Sequence, residues 1–410
     1  MSHREPSVSG PRRGEALRSG VVPDDEAVDL SLPEGLLPAD GRFGCGPAKV
    51  RPEQLDALAS RGADFLGTSY RRGAVRALLG RVRAGLRELF ELPADYQVVL
   101  GNGGGTAFWN IATHGLIRNR AQHLSFGEFS GRFTAVDRNT PWLAEPSVIE
   151  SPPGTCPVPR AEPGVDAYAL TQNETSTGVA MPIHRVPGAD VDALVLVDGT
   201  SAAGGMLVRP EAFDVYYFAP QKCFGADGGL WIALMSPAAV ARAEEIAAGG
   251  RYIPEFFSLP AAIGHSARDL TFNTPSVASL FLLSEQIDWL LGLGGLSGAA
   301  ARAAKTAALV YGWAEDSPYA APFVAEPEQR SPVVATIEFA EHIDAAHMVA
   351  GLRAHGILDL EPHRSFGRNQ IRIGMFPAIE IADAEALLSC IDHAVAQLGR
   401  PAGRGRRSNA

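Results

Sequence analysis

Apolar residues fall into two kinds of segment along the chain. In Leu78–Phe90 (LLGRVRAGLRELF) they recur at helical spacing, which predicts an amphipathic helix. Tyr96–Leu100 and Leu194–Val197 are short apolar runs bounded by turn residues, as in buried strands. The same criteria predict strands at Val215–Ala219, Gly229–Met235, Val333–Phe339 and Gln370–Phe376, and helices at Ala107–Leu116 and Phe281–Leu293.

The order of these segments predicts an α/β fold. Continuous apolar strands between helices are typical of a mostly parallel sheet with helices on both faces. The tight glycine turn before Gly229–Met235 favours an antiparallel neighbour for that strand. The predicted organisation is a flexible extension over residues 1–40, a large domain over 41–294, a smaller α+β C-terminal domain over 295–398, and a flexible basic tail over 399–410. The first segment of the large domain is a candidate to pack on the small one.

Composition and charge narrow the function classes. The chain has 410 residues, 46% of them hydrophobic, and a net charge of -10. A nucleic-acid-binding face is disfavoured, since it needs clustered basic residues. No apolar run approaches the roughly 20 residues of a membrane span, and the N-terminus lacks the apolar part of a secretory signal. The four separated cysteines show no metal-ligand spacing, which favours a reduced, cytoplasmic protein without a metal site.

A glycine-rich loop, Gly101–Thr106 (GNGGGT), lies between the predicted strand Tyr96–Leu100 and the predicted helix Ala107–Leu116. Backbone N–H groups in such a loop, together with a helix N-terminus, are suited to bind a phosphate. Taken alone, the loop fits three interpretations. It is a phosphate cradle, a dinucleotide site of the loose GxGxx type, or a tight turn without a ligand.

Two charged residues follow consecutive predicted strands. Asp198 ends Leu194–Val197, and Lys222 follows Val215–Ala219. Because α/β folds place their chemistry at the carboxyl edge of the sheet, we expect both to face one pocket. Taken singly, Asp198 fits a helix cap and Lys222 a solvated side chain. Together with a phosphate loop they form the minimum set for pyridoxal phosphate, in which a lysine bonds the aldehyde and an aspartate pairs with the ring nitrogen.

Arginines stand in polar, turn-like segments near both ends of the chain. Guanidinium groups bind carboxylate and phosphate with fork geometry. Arg372 is a strong candidate for such a role, because it lies inside an apolar predicted strand. The other candidates are Arg71, His363 and Arg364, whereas Arg72 and Arg368 are interpreted as solvated surface residues.

Whole segments between about Gly41 and Leu398 resemble the phosphoserine aminotransferase family of class V aminotransferases, and most of all its actinobacterial type. Because the resemblance rests on many segments, it is highly specific for the family and less so for the substrate. The segments are DGRFGCGPAKVR, FELPADYQVVLGNGGGTAFWN, LSFGEFSGRF, QNETSTGVA, VYYFAPQKCFGADGGLWIALMSP, TFNTPS and GRNQIRIGMFPAIE.

The resemblance implies a fold-type I transferase that depends on pyridoxal phosphate and forms a homodimer with shared active sites. It implies that Lys222 bonds the cofactor covalently and that Asp198 pairs with the pyridinium nitrogen. It also implies amino transfer from L-glutamate to 3-phosphohydroxypyruvate, in serine and possible pyridoxine synthesis. The remaining implied roles are the cofactor phosphate for Gly105, Thr106 and Gln221, the same phosphate from the other subunit for Asn273 and Thr274, the ring hydroxyl for Thr175, stacking on the ring for Phe129, and substrate carboxylate and phosphate for Arg71, His363, Arg364 and Arg372.

Three positions depart from the family's pattern. Tyr70 stands where a histidine usually precedes the first substrate arginine, Gly199 stands in place of an alanine, and Cys223 stands in place of a small polar residue or asparagine. A tyrosine hydroxyl donates a hydrogen bond but cannot take the positive charge of a histidine. Tyr70 therefore motivates a second hypothesis, a diverged relative that transaminates another phospho- or phosphono-2-oxo acid. Cys223 and Trp109 are interpreted as packing residues.

Two further function classes are less consistent with these residues. A nicotinamide-dependent dehydrogenase built on GNGGGT leaves Asp198 and Lys222 without a role. A non-catalytic binding protein is disfavoured because both residues are intact. The aminotransferase hypothesis requires Lys222 to act as a general base, with a pKa lowered toward neutrality by burial and a nearby cation.

Overall fold

The computed structural model describes residues 30–398, so most of the predicted extension (1–29) and the predicted tail (399–410) lie outside the described residues. The α-helices are α1 (Pro52–Arg61), α2 (Gly73–Leu89), α3 (Gly105–Gly115), α4 (Glu128–Arg138), α5 (Pro237–Ala248), α6 (Leu259–Ser266), α7 (Val277–Gly292), α8 (Gly295–Asp316), α9 (Ala345–Ala354) and α10 (Ile381–Leu398). The strands are β1 (Gln97–Asn102), β2 (Ala121–Ser125), β3 (Ser147–Glu150), β4 (Ala167–Thr171), β5 (Asn173–Glu174), β6 (Val179–Ala180), β7 (Leu194–Asp198), β8 (Val215–Phe218), β9 (Leu230–Met235), β10 (Ala320–Pro322), β11 (Val334–Phe339) and β12 (Gln370–Gly374).

A seven-stranded sheet in the order β1-β9-β8-β7-β4-β2-β3 forms the centre of the fold. Strands β3, β2, β4, β7 and β8 pair in parallel. Strand β9 pairs antiparallel with both β8 and β1. All strands of this sheet except β9 therefore run in one direction, and both the α/β class and the antiparallel pairing of the Gly229–Met235 segment are confirmed.

The strands read as continuous apolar runs because helices cover both faces of this sheet. In β7, Val195 and Val197 join a core that includes α2 and α7. Leu194 and Leu196 join a second core that includes α3, α5 and α6. Neighbouring positions thus enter different cores, so the strand needs no polar face.

The C-terminal part of the chain forms a smaller antiparallel sheet, in the order β10-β11-β12, that packs with α8, α9 and α10. Gly294, at φ 98°, lies between α7 and α8, which are bent by 87° relative to each other. The predicted domain boundary at 294/295 falls at this bend, and the division itself stays a prediction.

Residues 30–40 differ from the flexible extension predicted for them. Leu30 and Leu32 are buried in the core of the smaller sheet. Lys49 Nζ lies 3.3 Å from an oxygen of Asp40 and 3.4 Å from an oxygen of Asp383 in α10. The Pro- and Gly-rich composition concealed these few apolar positions, which pack against residues far along the chain.

The predicted elements are present, with shifted ends. Helix α3 begins at Gly105, two residues before the predicted start, so the end of the glycine loop forms its first turn. Helix α2 begins at Gly73 rather than Leu78. Within residues 30–398, no single helix is both long and apolar enough to cross a membrane, although the bent pair α7 and α8 passes the same criteria by length and composition alone.

Candidate active site

The carboxyl ends of β1, β2, β4, β7 and β8 meet at one edge of the main sheet, because these strands share a direction. The glycine loop follows β1, and Asp198 is the last residue of β7. Lys222 follows β8 after a short turn. The structure therefore brings together, at one edge, the three features that the sequence predicts to be neighbours.

Lys222 is a buried cation that is held by backbone. Its Nζ donates a hydrogen bond to the carbonyl oxygen of Cys45 at 2.7 Å. A Cβ at Gly46 would lie 1.8 Å from this Nζ, so only glycine fits beside the amine, and Gly46 also adopts φ 134°. Burial, assisted by the charge of Arg372, lowers the pKa of Lys222 to about 8. The amine is thus closer to neutrality than an exposed lysine.

Asp198 is a buried carboxylate whose hydrogen-bond donors are neutral. Trp109 Nε1 donates to Oδ2 at 3.1 Å, and the backbone N–H of Thr200 donates to Oδ1 at 2.8 Å. Burial raises the pKa of Asp198, and the hydrogen bonds from Thr200 and Trp109 oppose that rise without cancelling it. A protonated ring nitrogen is a group that would complete this environment.

Trp109 has a role beyond the packing predicted for it. Its ring is buried and stacks on Phe133, with the ring centroids 6.2 Å apart. The indole N–H also holds Asp198, which lies 89 residues further along the chain. The position of Trp109 in the helix after the glycine loop was the available signal, since that helix packs beside the end of β7.

The start of α3 is open to an anion. Its N-cap residue, Gly104, makes no side-chain capping hydrogen bond. The first N–H groups of a helix and its dipole favour an anion at this point. Thr200 Oγ1 lies 3.0 Å from the position that a Cβ at Gly105 would take, and it is buried without a hydrogen-bond partner among the described residues. Gln221 Oε1, in the residue before Lys222, is also buried without such a partner. Buried polar atoms normally have a partner. The Thr200 hydroxyl can donate to an anion, so it fits a bound phosphate together with Gly105 and Thr106 in the first turn, whereas Gln221 would have to donate through its amide nitrogen.

Thr175 belongs to a buried hydroxyl cluster. Its Oγ1 donates to Ser201 Oγ at 2.7 Å, and Asn173 Nδ2 donates to the same oxygen at 2.8 Å. Ser201 belongs to the DGTS turn that begins at Asp198, and no role was predicted for it from the sequence. The hydroxyl group of Ser201 thus joins the segment that follows β4 to the segment that follows β7.

Phe129 lies in the first turn of α4, and a buried carboxylate fixes the start of that helix. Glu174 accepts hydrogen bonds from Ser130 N and Ser130 Oγ, both at 2.9 Å, and from Ser176 Oγ at 2.7 Å. A Cβ at Gly127 would lie 2.3 Å from Glu174 Cγ. Burial raises the pKa of Glu174, and these hydrogen bonds oppose that rise. The role of Glu174 could not be predicted from the sequence, because only the fold brings α4 against this residue.

Two of the predicted substrate residues approach the site from the C-terminal part of the chain, Arg372 in β12 and His363 in the segment that precedes this strand. Arg372 Nη1 donates to the carbonyl of Thr175 at 3.2 Å, so the guanidinium lies above the hydroxyl cluster. The ring of His363 meets the ring of Phe129 edge-on, with centroids 5.8 Å apart. Burial, followed by the charge of Arg372, lowers the pKa of His363 to about 4. Arg364, next along the chain, is exposed.

Three predicted site residues lie elsewhere in the chain's own fold. Arg71 is exposed and stacks over the ring of Tyr70, with its Cζ 4.5 Å from the ring centroid. Asn273 and Thr274 are exposed and lie next to the glycine loop. They are held there by Asn102, whose Nδ2 donates to the carbonyl of Thr274 at 2.9 Å and whose Oδ1 accepts the N–H of Asn273 at 3.2 Å.

Comparisons with known proteins agree with this geometry. Residues 161–359 match the family model described as aminotransferase class-V. A phosphoserine aminotransferase of Nocardioides sp. strain JS614 is 58% identical over 370 residues, which cover 90% of this chain and 99% of the relative. The chain belongs to the phosphoserine aminotransferase family. A second member, from Rhodococcus opacus strain B4, is 54% identical over 368 residues and covers 90% of this chain and 98% of its own length.

The fold of the chain is similar to that of a solved structure. The solved structure of a phosphoserine aminotransferase from Cytophaga hutchinsonii matches with a TM-score of 0.79 at 22% identity, over 86% of this chain and 99% of that chain. The predicted fold-type I class is confirmed. The phosphoserine aminotransferase family predicted from the seven segments is confirmed as well.

One departure from the family's pattern has a clear packing reason. At Gly199 an added Cβ would lie 2.2 Å from Cζ of Tyr216, whose hydroxyl donates to Gln172 Oε1 at 2.7 Å. The tyrosine ring thus occupies the space that the usual alanine needs in this family. Cys223 is fully buried in an apolar cluster, and burial raises the pKa of its thiol, which agrees with a packing role.

Tyr70, the departure that motivates the second hypothesis, is mostly buried. Its ring lies in the core that contains α2 and α7 and supports the guanidinium of Arg71. A histidine at this position in the phosphoserine aminotransferase family offers a cation next to the arginine, whereas Tyr70 offers an aromatic platform. Tyrosine in place of histidine therefore removes a possible positive charge beside Arg71 but keeps an aromatic ring there.

Proposed function

We propose that this chain transfers the amino group of L-glutamate to 3-phosphohydroxypyruvate, which gives O-phospho-L-serine and 2-oxoglutarate, with pyridoxal phosphate as cofactor. The observation that carries the proposal is the buried pair of Lys222 and Asp198 beside the uncapped start of α3. The relatives from Nocardioides and Rhodococcus, named for phosphoserine, support the substrate. The proposal places the reaction in serine synthesis, with pyridoxine synthesis as a second use. Four free cysteines agree with a cytoplasmic location.

The residues at the sheet edge fit the cofactor group by group. When bound, pyridoxal phosphate supplies an aldehyde that receives the amino group and a ring that withdraws electrons from the substrate. Lys222 would hold the aldehyde carbon, Asp198 the ring nitrogen and Thr175 the ring hydroxyl. Phe129 would stack on the ring. The phosphate would be held by Gly105, Thr106 and Gln221.

Lys222 is suited to move the proton at the substrate's Cα. With a pKa of about 8, about one tenth of the amine is neutral at pH 7, far more than for an ordinary lysine. The carbonyl of Cys45, at 2.7 Å, orients Nζ before the substrate arrives. We propose that neutral Nζ accepts the Cα proton and later returns it, so one side chain serves as base and acid in turn.

Arg372, His363 and Arg364 are proposed to bind the two anionic ends of the substrate. Arg372 lies at the Thr175 side of the pocket, where its fork geometry suits the α-carboxylate. His363 and Arg364 suit the distal phosphate or carboxylate. His363 is neutral in the free protein, since its pKa is about 4, and an arriving dianion would raise that pKa.

The exposed positions of Arg71, Asn273 and Thr274 are consistent with a shared active site. We propose that they serve the cofactor phosphate and the substrate of a second copy in a homodimer. Their own chain presents them on its surface, with Asn273 and Thr274 held next to the glycine loop. Dilution of an active dimer below its dissociation constant should therefore reduce activity per chain.

The main alternative keeps the fold and changes the oxo acid. Tyr70 favours it, because this position lacks the histidine that the family uses beside its first substrate arginine. The test is the initial rate with L-glutamate and a panel of 2-oxo acids that includes 3-phosphohydroxypyruvate, phosphono analogues, pyruvate and oxaloacetate. A clear preference for 3-phosphohydroxypyruvate supports the main proposal. A preference of tenfold or more for another phospho- or phosphono-acid would replace it with the alternative.

The covalent attachment has a clean test, because the chain has three lysines, Lys49, Lys222 and Lys305. Lys49 is engaged by Asp40 and Asp383, and Lys305 is exposed on α8. Borohydride reduction of the holoenzyme, followed by peptide mass spectrometry, should find the cofactor on Lys222. Lys222→Ala should lose the adduct and nearly all turnover, whereas Lys305→Ala should keep both. An adduct that persists in Lys222→Ala would mean that Lys222 is the wrong lysine.

A further inference from the structure

Within residues 30–398, one side-chain hydrogen bond joins the segment that carries His363 and Arg364 to the part of the chain that forms the main sheet. Ser365 Oγ donates to Glu128 Oε2 at 2.7 Å. Ser365 N also donates to Nδ1 of His363 at 3.3 Å, so the serine contacts both sides of the junction. The bond thus connects the first residue of α4 with the residues proposed to read the substrate's distal anion.

Glu128 is a fixed partner for this bond. Its backbone N–H donates to Ser176 Oγ at 3.0 Å, and its Oε1 accepts from Arg132 Nε at 2.6 Å. Burial opposes ionisation, but the Ser365 hydroxyl and the Arg132 guanidinium outweigh it and lower the pKa of Glu128. The carboxylate is therefore charged at neutral pH and has both oxygens engaged, on a helix start that Glu174 already anchors.

Both ends of the segment are held by the smaller sheet and its helices, through Glu361 and Asn369, but its middle has few other contacts among the described residues. A cleft of about 330 Å³ lies next to the bond, and its lining includes Glu128, Ser365, Phe366 and Ser151. Arg364 and Ser365 are exposed, and Gly367 adopts φ 56°. On the far side, Arg368 pairs with Glu338 of the smaller sheet. The position of His363 over the pocket therefore depends on the Glu128–Ser365 bond together with the edge contact to Phe129.

We propose that Glu128 and Ser365 are positioning residues that hold His363 and Arg364 across the substrate pocket and so set the affinity for the substrate's distal anion. This inference rests on the proposed function. A segment that is held in place before binding loses less conformational entropy when the anion arrives, which lowers KM. The Arg132 cation beside Glu128 limits the repulsion between this carboxylate and the same anion.

The test compares an amino donor with a distal anion and one without it. Ser365→Ala removes the hydroxyl, and Ser365→Thr keeps it as the matched control. For Ser365→Ala we expect KM for O-phospho-L-serine to rise about fivefold to tenfold. This effect is at the lower end of the range for a hydrogen bond to a charged group, because the bond is half exposed to water. We expect kcat to stay within about twofold, and the rate constant of the single-turnover reaction with L-alanine, which lacks a distal anion, to stay unchanged. Ser365→Thr should resemble the wild type.

A double-mutant cycle separates the bond from independent effects. Glu128→Ala should raise KM as Ser365→Ala does, and the double variant should be no worse than either single variant. Glu128→Gln keeps an acceptor and should retain most of the affinity. Fully additive effects, or an unchanged KM in Ser365→Ala, would overturn the inference. An equal loss with O-phospho-L-serine and with L-alanine would also overturn it, because that pattern marks general damage to the fold.

The two proposals fail in different ways. If the wild-type chain transfers no amino group from O-phospho-L-serine or L-glutamate, the proposed function is wrong and this inference falls with it. If the wild type is active and Ser365→Ala binds the phosphorylated donor like the wild type, only the positioning role is wrong.

Discussion

Replacement of Lys222 by methionine should stabilise the cofactor-free protein while it abolishes turnover. The fold lowers the pKa of Lys222 from 10.5 to about 8. At 1.36 kcal/mol per pKa unit, this difference of about 2.5 means that the protonated amine disfavours the folded state by about 3 kcal/mol. Methionine has similar length and no charge. Loss of the hydrogen bond to the carbonyl of Cys45 offsets about 1 kcal/mol of the gain, so we expect a net gain of about 2 kcal/mol at pH 7.

The dependence on pH gives this prediction a specific signature. Between about pH 8 and pH 10.5 the folded lysine is neutral while the unfolded lysine is still protonated. The unfolded state then binds more protons, so the free energy of unfolding of the wild type rises with pH over this interval. The advantage of Lys222→Met should therefore shrink as the pH approaches 10.5. Comparison of the two proteins at each pH removes the titrations that they share.

The assay is urea unfolding of the cofactor-free proteins, followed by circular dichroism at pH 7 and pH 10.5. Lys305→Met serves as the control, because Lys305 is exposed on α8 and should change the free energy of unfolding little at either pH. A Lys222→Met variant that is less stable than the wild type at pH 7, or an advantage that does not change with pH, would refute the assignment of a desolvated, pKa-lowered amine.

Three further predictions concern the surroundings of this amine. Asp198→Asn should retain the cofactor but lower kcat by about 100-fold or more, because a neutral amide cannot stabilise a charged ring nitrogen. An unchanged kcat would exclude the pairing of Asp198 with that nitrogen. Gly199→Ala should cost about 1–3 kcal/mol of stability through its clash with Tyr216. The measurement is thermal unfolding against the wild type, and an unchanged melting temperature would contradict the clash. Glu174→Ala should cost about 3 kcal/mol in urea unfolding, because it strands the donors of Ser130 and Ser176; a loss below about 0.5 kcal/mol would contradict the anchoring of α4.

The sequence predicted those parts of the site whose proximity follows from the order of the strands. The apolar runs that end at Asp198 and near Lys222 belong to adjacent parallel strands, so their shared edge follows from general rules of α/β topology. The glycine loop follows another strand of the same direction. These relationships need only the type and order of elements, which the pattern of apolar residues provides.

The contacts that orient the site residues could not be predicted from the sequence, because they join segments that are far apart along the chain. The carbonyl of Cys45 lies 177 residues from Lys222 along the chain, and Glu174 lies 44 residues from Ser130. Neither pairing leaves a periodic signal. The burial of Leu30 and Leu32 was missed for a related reason, since composition averages over a segment and two apolar side chains are enough to anchor it.

The measurement that tests the central claim most directly is the visible absorption spectrum of the purified protein with pyridoxal phosphate, titrated separately with O-phospho-L-serine, L-glutamate and L-serine. We expect a yellow band from the cofactor bound at Lys222, and we expect O-phospho-L-serine and L-glutamate, but not L-serine, to bleach it. Bleaching by L-glutamate alone would keep the aminotransferase and refute the phosphorylated substrate. A protein that develops no yellow band after addition of pyridoxal phosphate would contradict the assignment of Lys222, Asp198 and the start of α3 as a cofactor site.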